Sequence, residues 1–301
     1  MIARGRNHPD LVILGNVNVD LIMGPLAQWP AEGEEVLVPE LRWRVGGNAG
    51  NAALACHALG TNALTLTSAG DDLAGTWLRT QLPDHAVHWL GSAAPTSVTA
   101  AFSHPGSDRS FVTYLGHLQH LSWADLAPHL LPARAALLAG AFLTPRLRQD
   151  YPALLARLNA QGTAAALDFG WPDRGFTPDI RAEILNWLPG VQHLLINELE
   201  AAHLTGLSTP QDAARHLATH LPPQGVVVVK CGPRGVVARQ GGQEYAAPAP
   251  TVQVIDSVGA GDTWNAAYLH ATLQGTRLEE ALHAAVQVAS RAISTEPRQF
   301  R

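Results

Sequence analysis

The chain has 301 residues, of which 47% are hydrophobic and 15% are charged, and its formal net charge is −5. This length allows one large domain or two ordinary ones, with enough apolar side chains for a core. The negative charge excludes a general electrostatic attraction to nucleic acid or to an anionic membrane, so that any phosphate binding has to be local.

Short apolar stretches and helical stretches alternate along most of the chain. Strands are predicted over residues 11–15, 63–70, 135–142, 163–169, 193–197 and 225–230. The last of these contains "VVVV", and a strand that is apolar on both faces is typical of a parallel sheet covered by helices. Helices are predicted over residues 48–59, 151–160, 198–205 and 210–220, the first three with a glycine just beyond the end. The pattern predicts a doubly wound α/β core.

Two segments interrupt this alternation. Residues 18–45 and 96–115 contain strand-like stretches around turns, with no helix between them. They predict hairpins that together form a small lid. No internal repeat or long linker divides the chain, so we expect a single domain over residues 1–301 with this cover attached.

Polar residues follow the first predicted strand, which is where open α/β sheets bind ligands. The stretch "NVNVD" places Asn16, Asn18 and Asp20 at the carboxyl end of that strand. These side chains are therefore candidates for contacts with a small ligand.

A second polar group opens the next helix, within "VGGNAGNAALA". Gly46 and Gly47 precede the helix, and a spacing of three places Asn48 and Asn51 on one of its faces. Together with Asp20 they form a set of hydrogen-bond donors and acceptors without positive charge, which suits a neutral polyol. An ordinary turn followed by a helix cap explains the same residues equally well.

The stretch "DSVGAGDTWNAA" follows a predicted strand, "TVQV" at 251–254, and opens a helix. Glycines allow backbone amides to converge at a helix N-terminus, which attracts anions. We interpret the amides near Gly259, Ala260 and Gly261 as a site for a transferring phosphoryl group, with Asp262 taking the proton of the attacking hydroxyl. The helix dipole favours the charged carboxylate, so we expect Asp262 to be a weak base. The alternative is a simple turn with a capping aspartate.

Two further segments come directly after predicted strands. In "INELEAAHLTG", Asn197 and Glu200 are suited to hold water on Mg²⁺, although helix capping and a helix-surface position explain them as well. In "KCGPRG" at 230–235, the glycine turn suits a cover over a nucleotide, or a hairpin turn.

Cysteine usage and hydropathy bear on the compartment. Cys56 and Cys231 form no CxxC pair, and such sparse usage fits a reducing environment. The first ten residues lack the apolar core of a signal peptide, and no apolar run approaches the roughly 20 residues that span a bilayer. We expect a cytoplasmic protein with no membrane or nucleic-acid partner.

Two of these segments resemble the signatures of a known family. "GGNAGNAALACHALG" near the start and "DSVGAGDTWNAAYL" near the end are similar to the two signature segments of the PfkB carbohydrate kinase family, also called the ribokinase-like family. Their order, "GDD" at 70–72, "NELE" at 197–200 and "KCGPRG" match as well, so the resemblance covers most of the chain.

The resemblance implies a three-layer α/β/α ribokinase-like fold, with a mostly parallel central sheet and a small β-sheet lid that closes over a sugar. It implies an enzyme that transfers a phosphoryl group from ATP to a hydroxyl of a sugar or sugar-like molecule with the help of Mg²⁺. It also implies a homodimer formed through the lid, and K⁺ as a further cofactor.

The resemblance also assigns roles to residues. Asp262 matches the catalytic base, and Gly259, Ala260 and Gly261 match the anion hole. The implied substrate contacts are Asp20, Gly47, Asn48 and Asn51, to which the rim residues Asn18 and Gly46 are added. The implied nucleotide and metal residues are Asn197, Lys230, Gly232, Gly235 and Glu200, with Asp256 at the position of a potassium-site residue.

The sequence departs from the family's pattern in three places. Family members often have Thr where this chain has Lys230, and the last helix lacks the Asn that frequently lies beside adenine. In "DFGWPDR" at 168–174, Asp168 and Arg174 match only loosely the Asp-Pro-Asn-x-Arg stretch of sugar-acid kinases. ATP is thus an expectation from the resemblance, and a keto-sugar-acid acceptor has no support from these residues.

Three alternatives stay open at this point. A nucleoside kinase would act on a similar polyol and stack the base on aromatic side chains of the lid, for which the candidates are Trp43, Phe102, Phe111 and Tyr114. A kinase of phosphorylated sugars would pair the phosphate with lid arginines, for which the candidates are Arg42, Arg44 and Arg109. Packing within the lid explains the aromatics, and solvation explains the arginines. A catalytically silent relative would sense a sugar without transferring phosphate.

Overall fold

The computed structural model describes residues 8–104 and 109–300, and their strands form two separate sheets. The strands in chain order are β1 (Leu11–Gly15), β2 (Asn18–Gly24), β3 (Glu40–Gly46), β4 (Ala63–Gly70), β5 (Val87–Ser92), β6 (Val98–Ser103), β7 (Arg109–Tyr114), β8 (Ala135–Ala139), β9 (Ala164–Asp168), β10 (His193–Asn197), β11 (Val226–Lys230), β12 (Val236–Gln240) and β13 (Gln243–Ala247). The helices are α1 (Asn48–Leu59), α2 (Leu73–Thr80), α3 (Trp123–Leu126), α4 (Pro145–Gln149), α5 (Tyr151–Ala160), α6 (Pro178–Trp187), α7 (Glu198–Thr205), α8 (Pro210–Ala218), α9 (Ala260–Leu273) and α10 (Leu278–Ile293).

The main sheet has nine strands in the order β13-β12-β11-β10-β9-β8-β1-β4-β5. The seven strands from β11 to β5 run parallel, and β12 and β13 are added antiparallel at one edge. Parallel neighbours need a crossover between them, which explains why helices follow most of these strands in the sequence. The mostly parallel sheet predicted from the sequence is confirmed.

Helices cover both faces of the main sheet and produce three layers. All five residues of β1 are buried, with Leu11 and Ile13 in one apolar cluster and Val12 and Leu14 in the other. Helices α1, α2, α9 and α10 contribute buried side chains to the first cluster, and α3 to α8 contribute to the second. Because successive residues of a strand point to opposite faces, strands of this type have to be apolar throughout.

The two interrupting segments form the second sheet, with four strands in the order β3-β2-β6-β7. β2 pairs antiparallel with β3 and parallel with β6, and β6 pairs antiparallel with β7. We refer to it as the small sheet. Residues 105–108, within the second predicted lid segment, lie outside the described residues.

The strand register assigns the side chains of the small sheet to two faces. Asp20 is paired with Arg44 on β3 and with Thr99 on β6, so that these three share one face. The strand period of two places Trp43, Phe102 and Tyr114 on the opposite face, and of the four predicted aromatics only Phe111 shares the face of Asp20.

The structure differs from the predictions at the ends of the main sheet. "TVQV" at 251–254 is not a strand; it lies outside both sheets, with Thr251 and Val254 exposed, so that no layer covers it. β5, β12 and β13 were not predicted, since their stretches combine polar and apolar residues without a sustained apolar run. The "KCGPRG" turn is the hairpin turn between β11 and β12.

Helix lengths bear on the membrane prediction. Within residues 8–104 and 109–300, no helix combines the length and the apolar composition that a bilayer span requires.

Candidate active site

A cavity of about 390 Å³ opens at the carboxyl ends of β9, β10 and β11. These strands end at Asp168, Asn197 and Lys230, and the side chains of all three line the cavity. Parallel strands bring their carboxyl ends to one edge of the sheet, which is why residues so distant in sequence meet here. The predicted site residues in its lining are Asn48, Asn197, Glu200, Lys230, Gly232, Gly235, Gly259, Ala260, Gly261 and Asp262.

Asp262 lies in the first turn of α9, and its side chain is held by two amides from the first turns of α1. Asn48 Nδ2 donates to Asp262 Oδ1 over 3.0 Å, and Asn51 Nδ2 donates to Asp262 Oδ2 over 3.0 Å. The spacing of three predicted for the two asparagines thus places both amides on the same carboxylate. They orient the carboxylate, and each NH₂ group uses one of its two N–H donors for this contact.

The pKa of Asp262 is raised from its usual value to about 7. Burial is the largest cause, and the negative charge of Asp168 adds to it, whereas Lys230 and the two asparagine amides lower the pKa. The expectation of a weak base at a helix start therefore does not hold, because desolvation of the carboxylate outweighs the helix dipole. A carboxylate with a pKa near 7 is well matched to a role as general base.

The turn before α9 has the geometry that the predicted anion site requires. Gly259 has a φ of 75°, and a Cβ there would lie 2.7 Å from Asn51 Cγ, so only glycine fits. The first turn of a helix leaves backbone N–H groups without intrahelical acceptors. Of the predicted donors, Ala260 N–H already donates to Ser257 O over 3.1 Å, which leaves Gly259 and Gly261 as the better candidates.

A cationic side chain lies beside this turn. Lys230 Nζ is 2.9 Å from Asp168 Oδ2 and 3.1 Å from Asn265 Oδ1, and Asn265 Nδ2 donates to Asp168 Oδ2 over 2.6 Å. Lys230 Nζ also lies 3.4 Å from where a Cβ on Gly261 would be. The site therefore holds one ammonium group next to the amides of the anion turn.

Neither Asn265 nor Asp168 was assigned from the sequence to the hydrogen-bond network around Lys230, and one signal for Lys230 itself was overlooked. Asn265 follows Asp262 by three residues on α9, and that spacing could have indicated a shared face. Asp168 was considered only for a sugar acid. Lys230 is the single lysine among the 301 residues, and every other residue in the Lys and Arg count is an arginine. A composition count alone could have singled it out.

Asn197 and Glu200 form a capping box at the start of α7. Glu200 N–H donates to Asn197 Oδ1 over 2.8 Å, and Asn197 N–H donates to Glu200 Oε2 over 2.9 Å. Glu200 is nevertheless buried and lines the cavity, and burial followed by the charge of Asp168 raises its pKa to about 7. Asn197 and Glu200 therefore do cap α7, as one alternative proposed, but Glu200 does not lie on an exposed helix surface.

The residues predicted to contact a substrate lie on the small-sheet side. Asn18 Nδ2 donates to Asp20 Oδ1 over 2.8 Å, and a Cβ on Gly46 would lie 2.0 Å from the same oxygen. Gly47 has a φ of 81°, and a Cβ there would lie 2.7 Å from Asn18 Oδ1. Because Gly47 directly precedes Asn48, this polar cluster adjoins the asparagines that hold Asp262.

The loop before the anion turn does not fit a potassium site. Asp256, expected to belong to one, is ion-paired with Arg44 and with Arg298, whose Nη2 lies 2.9 Å from Asp256 Oδ2. Arginine donors thus occupy the oxygens that a cation would use. Arg44 is neither a solvated charge nor directed to a substrate phosphate.

The remaining candidate side chains lie away from the cavity. Arg42 pairs with Glu40 and Glu296 at the surface, and Arg174 is 87% exposed beside Asp173. The Arg109 side chain lies outside the described part of the structure.

Comparisons with known proteins identify the family of the chain. A family model described as pfkB family carbohydrate kinase matches residues 8–299. The chain belongs to the pfkB carbohydrate kinase family. The kinase is an ATP-dependent phosphotransferase that acts on a hydroxyl of a sugar or sugar-like molecule.

Individual relatives extend over nearly the whole kinase. A deoxyribokinase from Salmonella typhi is 26% identical over 294 residues, covering 95% of this chain and 92% of its own. A 2-dehydro-3-deoxygalactonokinase from Haloferax volcanii is 26% identical over 274 residues, covering 84% of this chain and 83% of its own. The crystal structure of adenosine kinase from Sinorhizobium meliloti has a TM-score of 0.82 at 23% identity, covering 98% of this chain and 97% of its own. The predicted ribokinase-like fold is confirmed.

Proposed function

We propose that the kinase phosphorylates a hydroxyl of a neutral sugar, with Asp262 as the base that receives the hydroxyl proton. One observation carries this proposal: the Asp262 carboxylate is buried beside the anion turn, with both oxygens held by amides of Asn48 and Asn51. The acceptor hydroxyl lies against this carboxylate, and the phosphoryl group lies against the turn. Orientation of the hydroxyl followed by late proton transfer suffices for the loose transition state of phosphoryl transfer.

The charge that develops on the transferring group meets donors from two sources. The backbone amides of Gly259 and Gly261 lie at the N-terminus of α9, where the helix dipole is positive. The Lys230 ammonium group lies beside them, where it supplies a donor and a positive charge for a phosphate oxygen. Fixed donors of this kind stabilise charge without rearrangement of water.

The adenine end of the cavity is apolar. Its wall is formed by Val236, Ala249, Val286, Ala289 and Ile293, and Gly232 and Gly235 lie at the hairpin turn beside it. An apolar wall beside glycines suits a nucleobase, which supports ATP as the phosphoryl donor.

The polar end of α7 fits Mg²⁺. Glu200 is a buried carboxylate in the cavity with a raised pKa, so that a nearby positive charge would stabilise its ionised form. Among residues 8–104 and 109–300, no group of three His, Cys, Asp or Glu side chains is arranged to hold a metal by itself. Glu200, with Asn197, would therefore hold Mg²⁺ through water. Bound there, Mg²⁺ supplies charge neutralisation for the phosphates.

The acceptor side supports an uncharged sugar. The face of the small sheet toward Asp20 carries Asn18 and Thr99, while Arg44 is paired with Asp256. Arg174 is exposed beside Asp173. Among the described residues, the cluster of Asn18, Asp20 and Thr99 therefore offers no cationic side chain to a sugar phosphate or a sugar acid. The name of the Salmonella typhi relative, deoxyribokinase, fits a neutral pentose of this kind.

A nucleoside is the second candidate, and one observation favours it. Phe111 shares the face of Asp20 and is 54% exposed, so its ring is free to stack on a base. Trp43 packs edge-on against Trp77, and Phe102 packs against Trp29. The silent-relative alternative has no support, because the base, the anion turn and the lysine are assembled.

We also infer that the small sheet acts as a lid and joins two copies of the kinase. Its face opposite Asp20 exposes large apolar side chains: Leu41, Trp43, Val112 and Tyr114. A second copy that presents the same face would cover them. Both cysteines are free and buried, which fits the predicted cytoplasmic location.

The test is a coupled assay for ADP release over pentoses, hexoses, keto-sugar acids, sugar phosphates and nucleosides. We expect the highest kcat/KM with a neutral sugar. Preference for a nucleoside, abolished by Phe111→Ala, would support the second candidate. A preferred acidic or phosphorylated acceptor would contradict the neutral-sugar proposal.

A further inference from the structure

The loop before the anion turn is bound from outside by an arginine of the C-terminal segment. Arg298 Nη2 lies 2.9 Å from Asp256 Oδ2, and it donates to Asp256 O over 3.2 Å and to Val258 O over 2.6 Å. One guanidinium nitrogen thus contacts three oxygens of a loop that directly precedes Gly259. The Arg298 side chain is only 16% exposed, which strengthens these contacts relative to a surface pair.

A second arginine approaches the same oxygens from the small sheet. Arg44 is ion-paired with Asp256 and donates to Val258 O over 3.3 Å. Asp256 Oδ1 in turn accepts from Val258 N–H over 2.9 Å, so the carboxylate also closes the loop on itself. Two positive charges and one carboxylate therefore surround the carbonyl of Val258.

The position of that carbonyl determines the direction of the next amide. In a trans peptide the C=O of one residue and the N–H of the next point in opposite directions. Arginines that hold Val258 O on one side therefore direct Gly259 N–H to the other side, where Gly259 lines the cavity. The same arginine contacts thus orient a donor that the proposed function assigns to the phosphoryl group.

A monovalent cation would require these oxygens for itself. Such an ion is held by carbonyl and carboxylate oxygens, and here the carbonyls of Asp256 and Val258 and the Asp256 carboxylate already accept from guanidinium groups. Guanidinium is permanently charged and weakly hydrated, so it takes the place of a cation in a partly buried site.

We propose that Arg298, assisted by Arg44, is the built-in cation of the anion turn, so that the kinase needs no monovalent metal ion. Both arginines are positioning residues, since they act on the phosphoryl group through the backbone of Val258 and Gly259. The proposal rests on the proposed function only for its catalytic consequence; the binding of the loop by guanidinium is independent of it.

The first test compares potassium with tetramethylammonium at equal ionic strength, for the unaltered kinase and for Arg298→Ala. We expect the unaltered kinase to have the same kcat in both salts. Arg298→Ala should lose about tenfold to a hundredfold in kcat, as expected for a misplaced catalytic donor, with little change in the KM of the sugar. Potassium or guanidinium chloride at millimolar concentration should restore part of that kcat, and Arg298→Lys should retain more activity than the alanine variant.

The control is Arg277→Ala, which removes an exposed arginine paired with Glu280 at the other end of α10. This variant should keep its kcat and show no response to guanidinium. Several-fold activation of the unaltered kinase by potassium would overturn the proposal. So would an Arg298→Ala kcat that is unchanged, or one that is reduced and restored by neither cation.

Thermal unfolding supplies a readout that does not require turnover. Potassium should raise the unfolding temperature of Arg298→Ala more than tetramethylammonium does, and it should not do so for the unaltered kinase. If no acceptor supports ADP release, the proposed function fails while this measurement still decides whether arginine fills the cation site. If Arg298→Ala does not fold, a potassium-specific rise in the unaltered kinase is sufficient to reject the proposal, and its absence together with a folded Arg298→Lys supports it.

Discussion

The edge of the main sheet and the Asp20 face of the small sheet both belong to the proposed site, but their polar side chains have different kinds of hydrogen-bond partner. At the main sheet, Asp168, Lys230 and Asn265 come from three elements; Lys230 and Asp168 form an ion pair, and the neutral amide of Asn265 bonds to both. On the small sheet, Asn18, Asp20 and Thr99 form a cluster in which Asp20 is the single charged member.

The difference follows the chemistry of the two groups that react. A phosphoryl group carries several negative oxygens, so it requires donors and a cation whose positions do not change during transfer. A sugar hydroxyl is neutral and requires a partner that accepts a hydrogen bond. Variants of the main-sheet side should therefore reduce kcat, whereas variants of the small-sheet side should raise the KM of the sugar.

The largest effect that separates the two sides is expected for Lys230→Met. Loss of one donor to the developing charge reduces kcat by about a hundredfold to a thousandfold, with the KM of the sugar preserved. Steady-state kinetics measure both, and Arg234→Met, which removes an exposed arginine from the same turn, is the matched control. A rise in sugar KM without a fall in kcat would place Lys230 on the acceptor side.

Asp20→Asn should have a smaller effect than Lys230→Met, and it should change the KM of the sugar rather than kcat. A hydrogen bond to a charged group contributes about 1.5–3 kcal/mol, so the KM of the sugar should rise about tenfold to a hundredfold while kcat changes less. The control is Asp10→Asn, at an exposed aspartate that pairs with Arg134. A fall in kcat with an unchanged KM would remove the distinction between the two sides.

The pH dependence should reveal the two buried carboxyl groups of the main-sheet side. Asp262 and Glu200 each have a pKa raised to about 7, and both act as carboxylates, so kcat/KM should fall below pH 7 and level off above it. Glu200→Gln removes one of the two carboxyl groups that have to ionise, so it should make the acid limb less steep. An acid limb centred near pH 4 would contradict the raised pKa values.

The same shifts predict a pH effect on stability. A carboxyl group whose pKa is higher in the folded state stabilises that state at pH values below its unfolded pKa, and this stabilisation is lost as the pH rises through about 7. Thermal unfolding of the unaltered kinase should therefore lose more stability between pH 6 and pH 8 than unfolding of Asp262→Asn. Equal losses would indicate that Asp262 carries an ordinary pKa.

The smallest effect on catalysis is expected for variants on the face of the small sheet opposite Asp20. Leu41→Glu places a charge on the exposed apolar face and should convert a dimer to a monomer in sedimentation analysis, with kcat nearly preserved. The control Leu207→Glu, which adds a charge at an exposed leucine after α7, should leave the dimer intact. A monomeric unaltered kinase would remove the inferred dimer and leave the chemistry of the site unaffected.

Local signals explain which parts of the fold could be predicted from the sequence. The apolar runs at 11–15 and 193–197 and the helix at 48–59 have the predicted bounds, and Gly60 ends that helix with a φ of 75°. The segment 251–254 has the alternation of a strand, but its neighbours in space do not cover it, and a local pattern carries no information about that.

The predictable part of the site was likewise local. The glycine turn and Asp262 lie within one short stretch, and so do Asn48 and Asn51. The links across the site were not predictable, because Arg44 and Asp256 are separated by 212 residues and Lys230 and Asp168 by 62. Burial also depends on the whole fold, which is why the raised pKa of Asp262 could not be derived from its position at a helix start.

The most direct test of the account is the turnover of Asp262→Asn together with its ATP affinity, with Asp212→Asn at an exposed aspartate as the control. The account predicts that kcat falls by about a hundredfold to ten-thousandfold and that the acid limb near pH 7 flattens, while the Kd for ATP stays unchanged. Turnover within a few-fold of the unaltered kinase, with the same pH profile, would contradict the role of Asp262 as the base.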